Sequence, residues 1–194
     1  MKKIAIVFML VCGALTSCNI ESISQKKDNL TAKDFKTITV DSLYSLRVPR
    51  YMKEMKSLND DASLAYANVF KEAYTIVIDE PIDEVMTSFK EYEIYKEEKS
   101  PLENYDYYQI ESFKESIENL EITPLKTKTI NGYPVKQYVF KGEVENIQIS
   151  YLISLIESES DLFMIMSWTL TNRFERFKDS FIKSHDSFKS SKKN

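Results

Sequence analysis

Residues 126–141 read KTKTINGYPVKQYVFK, and this stretch decides the fold of the 194-residue chain. Apolar and polar residues alternate on both sides of Asn131 and Gly132, and alternation at period two predicts half-buried strands. Asn-Gly tolerates the positive φ angles of a tight type I′ turn, so the stretch predicts a β-hairpin. Two further strand patterns follow at 147–156 and 162–170, and consecutive strands joined by short turns predict an antiparallel meander.

The part of the chain before this meander carries four shorter strand patterns. They lie at residues 35–40, 44–48, 62–69 and 73–79. Residues 75–78 are all β-branched, which predicts a central position in the sheet for the last of these strands.

Apolar residues spaced three and four apart predict three helices. The first follows Pro81, which suits the first helical position because it lacks an N–H group. The second begins after Pro101 and runs to about Leu120, and Asn172 with Glu175 predicts a capping box for the third. The third helix is marked by a row of phenylalanines: Phe174, Phe177, Phe181 and Phe188. An antiparallel sheet of about six to seven strands covered by helices is an α+β domain.

The N-terminus has the pattern of a secretory signal peptide. Two lysines precede an apolar run at residues 4–15, which is shorter than the roughly 20 residues of a bilayer-spanning helix. Residues 15–18 then read Leu-Thr-Ser-Cys and resemble the bacterial lipoprotein signal. The resemblance implies that the Cys18 thiol is acylated and that residues 1–17 are removed. An ordinary secretory signal with an incidental cysteine, or a short buried helix, is the alternative.

Removal of that segment changes the composition in three ways. The mature chain has 194 − 17 = 177 residues, and its net charge is (26 − 2) − 30 = −6, which disfavours nucleic acid and anionic membrane surfaces as partners. Cys12 is lost and Cys18 becomes a thioether, so no thiol remains for a disulfide. Residues 18–33 are polar and aperiodic, which predicts a flexible tether before a single domain at 34–194.

The predicted elements together resemble the PsbP-like fold. The residues that carry the resemblance are a strand ending in proline at 44–49, the strand pair within 62–79, the Asn-Gly hairpin and a final helix closing at Phe188. The same fold is seen in a Ran-binding nuclear import factor and in bacterial envelope lipoproteins of the DcrB kind. Residues 60–66, DDASLAY, also resemble a stretch in uncharacterised lipoproteins of Bacteroidetes-type bacteria.

The resemblance implies an α/β/α sandwich that works mainly as a binding or assembly module. PsbP supports a manganese cluster, but none of its functional residues matches here, so no ligand carries over. A fold by itself does not fix function.

The sequence offers little catalytic chemistry. His185 is the single histidine and falls beside the phenylalanine row, where we expect a rim residue or a cation at a helix end. The acidic groups at 60–61, 97–98 and 157–161 lack the spacing of a calcium loop and are interpreted as solvated turns or helix surfaces. With only 3 Gly, Gly-rich phosphate loops are excluded. We predict no catalytic residue, no metal site and no cofactor.

Tyrosines between the first two helices are the most suggestive surface feature. Tyrosine is enriched at protein interfaces because it combines contact area with a polar tip. The alternative is that these side chains cover a sheet edge or pack between helices. Trp168 is interpreted as core. The candidate binding residues are Tyr92, Tyr95, Tyr105, Tyr107 and Tyr108.

These patterns favour a non-enzymatic lipoprotein of the bacterial envelope that is anchored through Cys18 and binds a partner protein or supports an envelope assembly. A carrier with an apolar pocket for a small ligand and a lipid-anchored hydrolase are the two alternatives. Asn19 differs from the Asp that retains enterobacterial lipoproteins in the inner membrane, so the resemblance favours the outer membrane. Neither the leaflet nor the oligomeric state follows from the sequence.

Overall fold

The structure, a computed structural model, describes residues 27–125 and 128–191. The predicted signal peptide at 1–17, the lipidation site Cys18 and residues 18–26 of the tether lie outside these ranges. The described chain folds as an α+β domain built on an antiparallel sheet with helices against it, which confirms the predicted fold class. Among the described residues, no helix has the length and apolar character needed to cross a membrane.

The elements follow one another with short connections. The strands are β1 (Phe35–Val40), β2 (Tyr44–Pro49), β3 (Lys53–Glu54), β4 (Leu64–Asn68), β5 (Ala73–Pro81), β6 (Glu118–Pro124), β7 (Lys128–Ile130), β8 (Tyr133–Val144), β9 (Ile147–Glu157), β10 (Asp161–Leu170) and β11 (Lys189–Ser190). The helices are α1 (Ile82–Glu91), α2 (Pro101–Ser116) and α3 (Phe174–His185).

The main sheet has eight strands within the described ranges, in the order β3-β4-β5-β10-β9-β8-β6, with β7 also paired to β8. The predicted meander is present, because β7, β8, β9 and β10 are antiparallel neighbours in sequence order. Asn131 and Gly132 have φ values of 51° and 95°, as the predicted tight turn requires. The β-branched strand β5 lies between β4 and β10, which confirms its internal position.

The sequence missed the strand β6. The apolar spacing predicts a second helix to Leu120, but α2 ends at Ser116 and the chain turns into an edge strand that pairs with β8 through an irregular register. Gly142 of β8 permits this pairing, since a Cβ there would lie 2.3 Å from Ile117 Cγ2 and 2.9 Å from the Glu118 carbonyl oxygen. The helix prediction was wrong here because the apolar side chains of a short bulged strand imitate helical spacing.

Different elements cover the two faces of the main sheet. One face packs against α1 and α2 through side chains such as Met164 and Phe113. The other face packs against α3 and against a small sheet of order β1-β2-β11. Phe188 lies beyond the end of α3, where its ring contacts Phe163 and Tyr44 at centroid distances of 4.8 and 5.7 Å. The result is a sandwich with the main sheet in the middle layer.

The start of α3 differs from the prediction. A 3-10 turn occupies Thr171–Arg173, and Arg173 takes the N-cap position without a side-chain hydrogen bond to the helix. The predicted capping box at Asn172 was therefore wrong. The 3-10 turn moves the first helical residue to Phe174, whose ring is buried.

The described end of the predicted tether lies against the domain. The Asp28 amide donates to the Arg176 carbonyl oxygen at 2.9 Å, and Lys183 Nζ donates to the Leu30 carbonyl oxygen at 2.8 Å. A 3-10 turn at Ala32–Asp34 then leads into β1. The chain thus runs along α3 before it enters the small sheet.

Candidate binding surface

The five candidate tyrosines lie on or between α1 and α2, but the structure gives them different environments. Tyr92 caps the C-terminus of α1 and is 65 % exposed, and Tyr107 on α2 is 43 % exposed. Tyr95 and Tyr108 are half-buried, whereas Tyr105 is buried. Two of the five, Tyr92 and Tyr107, therefore have exposed side chains.

Tyr105 holds α2 to the sheet. Its hydroxyl donates a 2.6 Å hydrogen bond to Glu80 Oε2 at the end of β5. Burial, followed by the neighbouring Glu80 carboxylate, raises the pKa of Tyr105 well above its ordinary value. Burial raises the pKa of Glu80, while the Tyr105 hydrogen bond opposes that rise. Tyr105 is a structural residue with no ring surface available to a partner.

Tyr107 forms a small cationic and aromatic patch with two lysines. Lys96 Nζ lies 3.6 Å and Lys99 Nζ lies 5.1 Å from the centre of the Tyr107 ring. A similar contact joins Lys90 Nζ to the Tyr95 ring at 4.8 Å. Lysine over an aromatic face is a weak attraction at exposed sites, on the order of 0.5–1 kcal/mol, which favours these side-chain arrangements without burying the rings.

Tyr108 connects this patch to the core. Its ring packs against Phe89 of α1 at a centroid distance of 5.0 Å. Burial, then the charge of Glu80, raises the pKa of Tyr108, and Tyr92 is among the smaller causes. Tyr108 thus packs against the core rather than forming the surface itself.

Asn104 fixes the connection between the two helices, and the sequence analysis missed it. Its side chain is buried; Oδ1 accepts from the Lys96 amide at 2.9 Å, and Nδ2 reaches the carbonyl oxygens of Lys96 and Lys99 at 3.0 and 3.1 Å. The same segment ends in a capping box in which Ser100 and Glu103 bond reciprocally. Ser100-Pro101-x-Glu103 is a recognisable helix start and was a usable signal.

Two carboxylates secure α2 from the sheet side. Glu157 Oε2 accepts from the Leu102 amide at 2.8 Å, so this residue neutralises the start of a helix and is not the solvated turn that the sequence predicts. Asp106 accepts from the Tyr138 hydroxyl at 2.7 Å and pairs with Lys136 at 3.1 Å. These contacts make the α1–α2 surface a fixed platform.

His185 lies in the interior, and the prediction of a rim residue or helix-end cation was wrong. Its Nδ1 is 2.8 Å from Ser154 Oγ and its Nε2 is 2.9 Å from Ser167 Oγ. Gln137 donates to Ser154 at 2.8 Å, and Thr75 lies 2.8 Å from Ser167. Burial lowers the pKa of His185 to about 3, so the ring is neutral at pH 7.

The remaining acidic groups do not converge. Asp60 and Asp61 are exposed, as are Glu97 and Glu98, and Asp161 is buried beside Ser160, whose hydroxyl donates to it at 2.6 Å. In residues 27–125 and 128–191 no group of three or more His, Cys, Asp or Glu side chains is arranged to hold a metal ion.

The fold is similar to that of solved structures, with low sequence identity. Cyanobacterial PsbP (CyanoP) from Synechocystis sp. PCC 6803 matches with a TM-score of 0.56 and 12 % identity, over 92 % of this chain and 99 % of that one. The protein is therefore an α+β domain of PsbP-like fold.

Two more solved structures show weaker likeness. The protein of unknown function PA94 from Pseudomonas aeruginosa has a TM-score of 0.48 and 9 % identity, over 79 % of this chain and 94 % of that one. LpqN, involved in cell envelope biogenesis of Mycobacterium tuberculosis, has a TM-score of 0.45 and 8 % identity, over 76 % and 82 %. No protein-family model and no curated protein sequence matches the chain.

Proposed function

We propose that this protein is a non-enzymatic binding or assembly module of a bacterial envelope, anchored by acylated Cys18 and binding a partner protein through Tyr92 and Tyr107. The lipoprotein-like signal at residues 15–18 supports the anchor, and the outer membrane is the proposed location. The PsbP-like fold is compatible with such a module but does not by itself assign a task.

The observation that carries the binding role is the exposure of Tyr92 and Tyr107 on a fixed platform. Both rings are exposed, while Asn104 and Tyr105 hold the supporting backbone through buried hydrogen bonds. Association costs free energy for every side chain and loop that must be ordered, so a preorganised aromatic surface keeps that cost small. Lys96 beside Tyr107 adds a charged group for partner selectivity.

The environment of His185 supports a non-catalytic role for that residue. A general base must reach the proton that it removes. His185 is fully buried and bonded through both ring nitrogens to serine hydroxyls.

Photo-crosslinking in cells tests the partner surface. A benzophenone amino acid replaces Tyr92 in one variant, Tyr107 in a second and Thr39 in a third, which is an exposed residue of β1 on the other side of the main sheet. We expect the first two variants to capture the same envelope protein and the third to miss it. Capture of nothing specific at positions 92 and 107, or equal capture at position 39, would contradict the proposed surface.

A cysteine pair tests the anchor. Cys18→Ala is expected to release the protein from the membrane fraction, while Cys12→Ala, the matched change within the predicted signal peptide, is expected to leave it there. The intact mass of the mature protein reports acylation independently of fractionation. Continued membrane association of the Cys18→Ala variant would refute the anchor.

A further inference from the structure

The turn between β4 and β5 exposes a large apolar side chain. Phe70 is 94 % exposed and its neighbour Val69 is 48 % exposed. We call residues 69–72 the Phe70 tip. Single exposed apolar residues are common on protein surfaces, so the exposure of Phe70 does not by itself indicate a binding site.

The Phe70 tip is held in position by its surroundings. The Lys71 amide donates to the Asn68 side-chain oxygen at 2.9 Å, and Asn68 Nδ2 donates to the Tyr51 carbonyl oxygen at 2.8 Å. On the other side, Arg173 Nη1 lies 2.8 Å from Glu72 Oε2. The ring of Phe70 therefore points outward from a fixed turn, with Lys71 next to it.

The first described residues of the chain lie beside the Phe70 tip. The Tyr51 hydroxyl donates to Asp28 Oδ2 at 2.8 Å, and the same ring lies 4.9 Å from Lys71 Nζ in the tip. One tyrosine thus contacts both the beginning of the described chain and the Phe70 tip. Cys18 precedes Lys27 by nine residues, which span about 30 Å at most when fully extended.

The opposite end of the sheet lies far from this entry point. The register of β5 with β10 runs from Tyr74 opposite Trp168 to Pro81 opposite Asp161, which corresponds to about 23 Å along the strands at 3.3 Å per residue. Glu159 is exposed in the turn beyond that end. A lipid on Cys18 is therefore attached nearer to the Phe70 end of the domain than to the Glu159 end.

We infer that the Phe70 tip enters the interface of the membrane that holds Cys18, with the rings and methyl groups of Phe70 and Val69 below the headgroups. The apolar face of an interfacial helix enters that boundary to a depth of roughly 5–10 Å, and we expect the exposed side chains of Phe70 and Val69 to enter it in the same way. The tip is a second contact that orients the domain. This inference rests on the proposed lipid anchor.

Single-cysteine labelling of the full chain tests the inference. Phe70→Cys and the matched control Glu159→Cys each carry an environment-sensitive fluorophore, in uncharged vesicles of phosphatidylethanolamine and phosphatidylcholine that contain the lipidated protein. We expect the label at position 70 to be quenched by a nitroxide-bearing lipid and shielded from aqueous iodide. The label at position 159 should show the reverse. Neither position contributes to the core, so thermal unfolding of both variants should match the parent protein.

Each outcome separates the two proposals. An anchored protein whose position-70 label is as open to iodide as the position-159 label overturns the membrane contact and leaves the anchor intact. Shielding from iodide without lipid quenching also overturns it and assigns the tip to a protein contact. A protein that is absent from the vesicles, or in which Cys18 itself takes the label, refutes the anchor and the tip contact with it.

Discussion

The two faces of the main sheet handle buried polar groups in different ways. On the α1–α2 face, tyrosine hydroxyls donate to carboxylates near the rim, as Tyr105 does to Glu80. On the α3 face, one such pair, Tyr51 with Asp28, lies at the edge, and a fully buried neutral network joins Ser154, His185 and Ser167 inside. Depth explains the difference, because a carboxylate keeps its charge only where water or a strong donor stabilises it, whereas a deeply buried imidazole gives up its proton.

The two faces therefore have different roles: the α1–α2 face presents exposed rings, and the α3 face stabilises the fold. The α1–α2 face leaves Tyr92 and Tyr107 outside after the carboxylates have secured the helix. The α3 face leaves its network wholly inside, where it fixes the helix on the strands.

Removal of an aromatic ring from the α3 face should have the largest effect on stability. Phe163→Ala deletes a fully buried ring that contacts Tyr44 and Phe188, and such changes cost about 3–5 kcal/mol. Phe70→Ala is the matched control and should change the free energy of unfolding by less than about 0.5 kcal/mol, because its ring is exposed. Urea unfolding measures both, and equal costs would contradict the assigned burial.

Acidification should lower the free energy of unfolding because His185 is buried in its neutral form on the α3 face. Its pKa is about 3 when folded and near 6.5 when unfolded, so below pH 6.5 the unfolded chain binds the extra proton. The stabilisation is complete above pH 6.5 and is lost progressively as the pH falls towards 3. Between pH 7 and pH 5 we expect the free energy of unfolding to fall by roughly 2 kcal/mol on this account.

His185→Gln isolates that contribution. Glutamine does not titrate, so the difference between the parent protein and the variant cancels the carboxylates, including Glu80, whose raised pKa acts in the opposite direction. In the variant, the fall in the free energy of unfolding that His185 causes between pH 7 and pH 5 should be absent. A variant that loses as much stability as the parent protein would show that His185 is not buried as described.

Tyr105→Phe should lower the free energy of unfolding by an intermediate amount. This cost should shrink as the pH falls, whereas the effect of His185 grows. It leaves the largely buried Glu80 carboxylate without its hydroxyl donor, at a cost of about 1–3 kcal/mol at pH 7. The pKa of Glu80 should rise further, so the cost should shrink below pH 4.5, where Glu80 is protonated in the folded and unfolded states. Tyr107→Phe on the same helix is the control. A cost independent of pH would mean that the hydrogen bond to the carboxylate is not its source.

Loss of the exposed rings should have the smallest effect on folding. Tyr92→Ala combined with Tyr107→Ala should alter the free energy of unfolding by less than about 1 kcal/mol per site, because Tyr92 is exposed and Tyr107 loses only weak contacts with lysines. The same variant should lose the partner that is captured by crosslinking. Retained capture with normal stability would separate these rings from binding.

Much of the fold follows from local patterns in the sequence. The Asn131-Gly132 turn, the alternating strands around it and the helix beginning at Pro101 depend on the conformational preferences of neighbouring residues, and the structure has them where they were predicted. The β-branched run in β5 correctly predicted an internal strand for the same reason.

The exposed residues of the candidate site were harder to predict from local sequence patterns. Five tyrosines within 17 residues gave no signal for which rings would be exposed, since Tyr105 and Tyr108 are separated from Tyr107 only by their angular positions on α2. Asn104 had no pattern that marked it as the organiser of the connection. These assignments depend on which side of α2 meets the sheet.

The sequence by itself determined the class of fold and the meander, because each rests on residues that are adjacent or nearly adjacent in the chain, and it predicts the lipid anchor at Cys18. Only the tertiary structure decided that His185 is a buried neutral group, that β6 is a strand and that the Phe70 tip lies beside the chain entry at Asp28. Those outcomes depend on contacts between residues far apart in sequence. Burial, desolvation and proximity arise when such segments pack, and no local pattern encodes them.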